Sequence, residues 1–200
     1  HASYRRQRQM CIRDSATMSL RRYDWAETCF GIAYASSPGN ANVLEALEFI
    51  AIERGDEPLR RHWLEARMTV NPDNPELLRA HAHLLAKMGD MEAERDVLRL
   101  EALGLDTPAD RSLLSGLRAR AGSHSEALEA IEQALAEDPS QAKDWLSYAT
   151  LLYQEGEASK ALDAVDKCLE LDRQSGDAWA LCATIPVSYT HLRAHETVVH

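Results

Sequence analysis

Four glycines recur along this chain at a nearly constant spacing. Gly55, Gly89, Gly122 and Gly156 are separated by 34, 33 and 34 residues. Apolar residues between them recur at spacings of three and four, which is typical of amphipathic helices, and no alternating strand pattern is present. Because glycine commonly ends a helix, the period predicts one helix–turn–helix unit in each interval. We therefore expect an all-α chain.

The repeated positions are clearest in residues 142–175. The first predicted helix carries aromatic and small residues at fixed positions, and the second carries a small residue where the helices cross: Trp145, Tyr148, Ala149, Leu152, then Ala161, Val165 and Cys168. This pattern resembles the tetratricopeptide repeat (TPR). The resemblance implies a TPR-type right-handed superhelical solenoid of antiparallel helix pairs, in which neighbouring pairs stack because no pair can bury its apolar face alone.

The resemblance covers about residues 16–185. It divides them into a partial unit, four repeats and a second partial unit: 16–40, 41–74, 75–107, 108–141, 142–175 and 176–185. The repeat 41–74 has Arg60 where the family has a small residue. The repeat 75–107 is the most divergent, because Ala93 comes one residue early after Gly89 and no proline closes the unit. We expect irregular packing there.

Residues 1–15 and 186–200 have no repeat character. Reverse translation of Met10–Ser15 gives a DNA sequence whose reverse complement encodes Val187–His191, so one inverted sequence can encode both ends. Both ends also resemble translated adaptors of short-read sequencing libraries. We therefore expect both to be non-native tails and exclude them from the fold, together with the Arg5–Arg8 cluster and His191.

Charge and cysteine content limit the classes of partner. The full chain has a net charge of −10, and without the two tails the charge is −13. A chain this acidic is poorly suited to binding a phosphate backbone, so no nucleic-acid partner is expected. No apolar run approaches the length of a membrane span. Three cysteines remain outside the tails, with no CxxC pair, which argues against a disulfide framework.

Two kinds of local signal mark helix starts. Asn74-Pro75 and Thr107-Pro108 each place a capping residue before a proline at the first helical position. Ser123 is followed three residues later by Glu126, which predicts a capping box.

No catalytic motif is present, and we expect neither catalysis nor a cofactor. His81 and His83 are two residues apart on a predicted helix, so their side chains point in different directions and cannot easily share a metal ion. No metal site is predicted.

The remaining candidate is the concave groove that the first helices of successive repeats line in the family. The predicted partner-binding residues are Phe49, Arg79, His83, Lys87, Arg120, Lys143 and Tyr153. The four cations among them favour an acidic peptide or a C-terminal carboxylate. The alternative is that they are ordinary solvated surface residues, and the family's carboxylate-clamp pattern is not reproduced, since Leu113 and Ser147 occupy two of its positions.

The resemblance thus implies a protein–protein interaction scaffold that binds a peptide or partner helix. Two other functions stay open from the residues alone. The array could be the TPR region of a larger bacterial enzyme, such as a glycosyl- or sulfo-transferase, or part of an envelope assembly or secretion component.

Overall fold

The computed structural model describes residues 22–185. This part of the chain is helical and contains no strand. Its helices are α1 (22–36), α2 (Ala41–Arg54), α3 (Glu57–Val70), α4 (Pro75–Met88), α5 (Ala93–Ala102), α6 (Pro108–Ala121), α7 (His124–Glu137), α8 (Ala142–Gln154), α9 (Ala158–Leu171) and α10 (Gly176–Thr184). None of these helices has the length and apolar character needed to cross a bilayer. The all-α prediction is confirmed. Both adaptor-like tails lie outside the described residues.

The described residues fall into two compact units, unit 1 (22–90) and unit 2 (91–185). The division falls within residues 75–107, the stretch with the most divergent repeat pattern. Helix α5, the first of unit 2, has only ten residues, and its N-cap residue, Glu92, makes no side-chain capping hydrogen bond. The other described helices between α2 and α9 have thirteen or fourteen residues.

Three turn glycines, Gly55, Gly89 and Gly122, cap the ends of first helices as the period predicts, and Gly156 follows Glu155, the C-cap of α8. At the end of α6, Gly122 has φ 84° and its N–H donates to the Ala119 carbonyl at 3.1 Å. The next N–H, of Ser123, donates to the Arg118 carbonyl at 2.9 Å. This pair of bonds satisfies carbonyls that have no partner inside the helix, and the left-handed conformation that it requires favours glycine.

The predicted caps at Asn74 and Thr107 are confirmed. The Asn74 side chain accepts hydrogen bonds from the first backbone N–H groups of α4. Thr107 forms a capping box with Asp110: the Thr107 N–H donates to Asp110 Oδ2 at 2.9 Å, and the Asp110 N–H donates to Thr107 Oγ1 at 3.4 Å.

The capping box predicted at Ser123 is wrong. The Ser123 side chain makes no capping hydrogen bond. Glu126, which would reach back to the Ser123 backbone, lies with its Oε2 3.5 Å from Arg118 Nε. The arginine on the preceding helix draws the carboxylate away from the cap.

Unit 1 packs around the α2–α3 pair. Its buried cluster contains Leu44, Leu47, Ala51 and Trp63, and the ring of Tyr34 meets Trp63 edge-on at 5.2 Å between centroids. Helix α3 also packs on α4, and this contact gives a second cluster: Leu64, Leu77 and Leu84.

Unit 2 packs as antiparallel pairs, α6 with α7 and α8 with α9, and α8 packs on α7. Small residues sit where helices approach closely: Ala127, Ala134, Ala149 and Ala161 are fully buried. Larger apolar side chains fill the space around them, with Ile131 and Val165 also fully buried. Consecutive pairs therefore share one apolar layer within this unit.

Candidate functional site

A cavity of about 690 Å³ opens on the face of unit 2 that α6 and α8 form. We name it the α6–α8 cavity. The start of α10 and the end of α9 complete its wall. The side chains and backbone that border it are Ser115, Gly116, Ala119, Arg120, Ala142, Lys143, Leu146, Ser147, Thr150, Leu151, Gln154, Cys168, Asp172, Ser175 and Asp177.

The first helices of this unit run side by side in the same direction. Near their starts, the Ser112 hydroxyl of α6 donates to Asp144 Oδ2 of α8 at 2.7 Å. Near their ends, the Tyr153 hydroxyl of α8 donates to the Thr184 carbonyl of α10 at 3.5 Å. The cavity thus has two distinct ends, one where these helices begin and one where they finish.

Two of the predicted site residues border the cavity, one at each end. Arg120 lies in the last turn of α6 and Lys143 in the first turn of α8. Both side chains are exposed, and Lys143 makes no ion pair within the described part of the chain. Gln154, at the end of α8, borders the cavity at the Arg120 end. A cationic side chain therefore borders the pocket at each of its two ends.

Acidic groups distinguish the two ends. Asp172 follows α9 and Asp177 lies in the first turn of α10, so both carboxylates belong to the end that carries Lys143. Asp172 accepts a hydrogen bond from the Gln174 backbone at 3.0 Å, which fixes one of its oxygens in the turn. The lining residues give a net negative charge at the Lys143 end and a positive charge at the Arg120 end.

A family model for the tetratricopeptide repeat matches residues 118–185. The match covers 68 of the 200 residues, so the similarity to this family extends from the end of α6 through α10. No curated protein sequence matches it.

Solved TPR structures share this fold. A structure described as YrrB, a TPR protein with an unusual peptide-binding site, has a TM-score of 0.69 at 16% identity, over 82% of this chain and 84% of that one. A MamA structure has a TM-score of 0.66 at 17% identity, over 78% and 92%. A second MamA structure, from Desulfovibrio magneticus RS-1, has the same TM-score at 16% identity, over 82% and 94%. At these identities the likeness establishes the fold alone.

The other predicted site residue of unit 2 does not border the cavity. Tyr153 is half-buried and packs against the core shared by α8, α9 and α10. Its hydroxyl faces the end of α10. The structure thus gives Tyr153 a packing contact and separates it from Arg120 and Lys143.

The predicted site residues of unit 1 lie on α2 and α4. Phe49 is 54% exposed, and His83 and Lys87 are exposed as well. Lys87 forms an ion pair with Glu57, and Arg79 is half-buried and engaged in contacts of its own. Phe49, His83 and Lys87 are therefore accessible, and Lys87 is the one of these three whose ion pair is described here.

The two neighbouring histidines of α4 point in different directions, as predicted. His81 is 2% exposed and His83 is exposed. Within residues 22–185 no group of three His, Cys, Asp or Glu side chains is placed to hold a metal ion.

Cys168 is the one cysteine that borders the α6–α8 cavity among the described residues. Burial raises the pKa of its thiol, and a hydrogen bond with Ser175 partly opposes that shift. A buried thiol with a raised pKa is a poor nucleophile. Cys168 therefore suits non-covalent contact with a ligand rather than a covalent reaction.

A smaller cavity, of about 160 Å³, lies between α5, α6 and α7. Its arginines are already engaged. Arg111 bridges Asp106 at 2.7 Å and Glu137 at 2.5 Å, and Arg118 lies 3.0 Å from Glu94. The ion pair with Glu137 is the main reason why the pKa of Arg111 is raised. These groups join helices to one another.

Sequence reasoning missed several residues of the α6–α8 cavity, above all Gly116 and Asp177. The signal for Gly116 was available, because it lies 33 residues after His83 and 34 before Thr150, which are groove positions in the repeat pattern. Asp177 carried no such signal. Acidic residues are common in the first turn of a helix because their charge interacts favourably with the helix dipole.

Proposed function

We propose that this chain is a protein-interaction scaffold that binds a peptide segment of a partner protein in the α6–α8 cavity, without catalysis of its own. The observation that carries the proposal is the cavity itself, because its volume of about 690 Å³ has an apolar floor and a cation at each end. Concave pockets of this size that combine apolar surface with polar groups at fixed positions are typical of ligand sites.

The charges favour a peptide with an acidic group directed toward Arg120. A guanidinium can donate two parallel hydrogen bonds to one carboxylate, which is a strong and geometrically selective contact. At the other end, Asp172 and Asp177 offset the charge of Lys143. An acidic peptide is therefore bound most favourably with its carboxylate at the end where α6 finishes.

The similar fold of YrrB supports peptide binding as the mode, since that protein is described as having an unusual peptide-binding site. The exposed residues Phe49 and His83 of unit 1 form a separate candidate surface for the same partner. We assign them a secondary contact role, because they lie in unit 1 and do not border the α6–α8 cavity.

The test is binding of the full chain to an immobilised array of acidic and basic pentapeptides. We expect acidic peptides to be retained, and the variants R120E and K143E to lower their binding by about tenfold, with the larger loss for R120E. K160E is the matched control: it makes the same charge change on α9, outside the cavity lining. Equal loss in K160E would show that the array reports overall charge, and would contradict the site.

A further inference from the structure

The α6–α8 cavity exists where one repeated position lacks a side chain. Phe49, His83, Gly116 and Thr150 each lie six residues before a turn glycine, on α2, α4, α6 and α8 respectively. Three of these positions carry a side chain, and the fourth is glycine. In unit 2 the gap at Gly116 adjoins Thr150, and both residues border the cavity.

Neither backbone conformation nor packing requires glycine at this position. Gly116 lies within α6 and does not have a positive φ. A Cβ added to it would meet no atom within 4 Å. Glycine inside a helix lowers helix stability relative to alanine. The residue thus weakens α6 and, in return, leaves open space at the wall of the cavity.

The surroundings of that space define what fits it. Ser115 and Ala119 lie near Gly116 on α6, and Leu146 and Thr150 of α8 border the same cavity. Gly116 is exposed, so the space opens to solvent, and both apolar side chains and hydroxyl groups border it. Arg120 lies one helical turn beyond Gly116 on the same face. A space bordered in part by apolar side chains is therefore adjacent to a guanidinium.

We propose that the space over Gly116 is the anchor subsite for a bulky apolar side chain of the bound peptide, and that a neighbouring acidic residue of the peptide pairs with Arg120. This inference rests on the proposed function and specifies its ligand. The absent side chain lets the peptide approach the α6 backbone, and burial of the apolar group supplies affinity. The guanidinium then sets the orientation of the segment.

The length of the cavity sets the length of the probe. Lys143 and Gln154 border it at its two ends, and eleven helical steps of α8 correspond to about 16 Å. An extended peptide covers that distance with about five residues. The probe is a positional-scanning library of acetylated pentapeptides, screened by fluorescence anisotropy against the full chain.

The variants exploit the free space at Gly116. G116F fills the subsite with a benzyl group, whereas G116A adds one methyl group that meets no neighbour. We expect G116A to raise the melting temperature and to lower binding by about threefold, and G116F to lower binding by about tenfold or more, because the loss should grow with the volume placed in the subsite. Circular dichroism of both variants verifies that α6 is folded.

The library outcomes separate the inference from the proposed function. Enrichment of Phe, Trp, Leu or Met at one position, with Asp or Glu beside it, supports the anchor, provided that G116F abolishes this preference. If the preference for an apolar residue is unchanged in G116F, while peptide binding is lost in R120E and K143E, the anchor subsite is overturned and the proposed peptide site still stands. If the library shows no sequence preference at any position, both the anchor subsite and the proposed peptide site are overturned.

Discussion

Glu48 and Arg60 form an ion pair at 3.8 Å, Oε1 to Nε, where α2 meets α3. The Glu48 side chain is buried, and that of Arg60 is 27% exposed. In the two later helix pairs the corresponding positions, 67 and 101 residues on, are occupied by small residues: Ser115 with Ala127 and Ala149 with Ala161. The first helix pair thus replaces a contact between small residues with an ion pair, which Arg67 also joins.

This substitution predicts strong coupling between Glu48 and Arg60. E48A leaves Arg60 and Arg67 without their carboxylate and should lower the free energy of unfolding by about 3 kcal/mol. In E48A/R60A two small residues restore the contact found in unit 2, so the double variant should be more stable than E48A. Urea denaturation of the double-mutant cycle measures this coupling, and strictly additive effects would contradict it.

The hydrogen bond between Ser112 and Asp144 predicts a second coupling, between stability and binding. S112A removes the 2.7 Å bond and leaves the buried Asp144 carboxylate without this donor, which should cost about 1–3 kcal/mol. Because these two helices flank the α6–α8 cavity, peptide binding should weaken as well.

The matched control for S112A is S36A, on α1 and outside the cavity lining. The Ser36 hydroxyl donates to the Ile32 carbonyl of its own helix, at 3.1 Å, so its loss should change stability by less than about 0.5 kcal/mol. Denaturant titration and peptide anisotropy are measured on both variants. Equal effects in S112A and S36A would show that the bond between helices contributes no more than a bond within one helix.

Tyr148 predicts a loss of stability at alkaline pH. Burial and a hydrogen bond from its hydroxyl to Glu132 Oε1, at 2.9 Å, raise the pKa of Tyr148 to about 12 from an ordinary value of 10.0. The folded state holds this proton more tightly than the unfolded state does. The contribution to stability is therefore complete below pH 10 and is lost as the pH rises from 10 toward 12.

The measurement is urea denaturation of the wild type and Y148F across that range. The difference in stability between them should shrink as the pH rises, since lysines and the other tyrosines titrate alike in both. A difference that stays constant from pH 10 to pH 12 would refute the assignment to Tyr148.

Cysteine reactivity reports on the cavity wall. Cys29 is exposed and Cys168 is buried with a raised thiol pKa, so iodoacetamide should alkylate Cys29 first in the folded chain. A peptide bound in the α6–α8 cavity should slow Cys168 further and leave Cys29 unchanged. Mass spectrometry of the alkylated peptides gives both rates. Alkylation of Cys168 as fast as Cys29 would show that this wall is open in solution.

Much of the fold was predictable because its signals are local. A turn glycine and a cap act through bonds within a few residues of one another, so Gly122 and Asn74 could be interpreted without tertiary knowledge. Ser123 shows the limit of that approach. Its capping box failed because Arg118, on the preceding helix, lies close enough to Glu126 to pair with it.

The candidate site was only partly predictable. Arg120 and Lys143 were expected as groove residues and both border the cavity, whereas Tyr153 was expected there and packs against α10. The repeat pattern assigns residues to a face of a helix. It does not determine which neighbouring helix covers each residue, and that coverage separates a contact residue from a core residue.

The sequence by itself determined the helix period, the turn positions and the small residues at helix crossings, since these follow from backbone geometry and short-range contacts. The tertiary structure alone decided which charges meet and where space remains. Glu48 finds Arg60 and Arg67 only when α2 packs on α3, and the missing side chain of Gly116 becomes a cavity only because α8 lies beside α6. Electrostatic pairing and packing depend on distances between helices, and a linear pattern does not contain those distances.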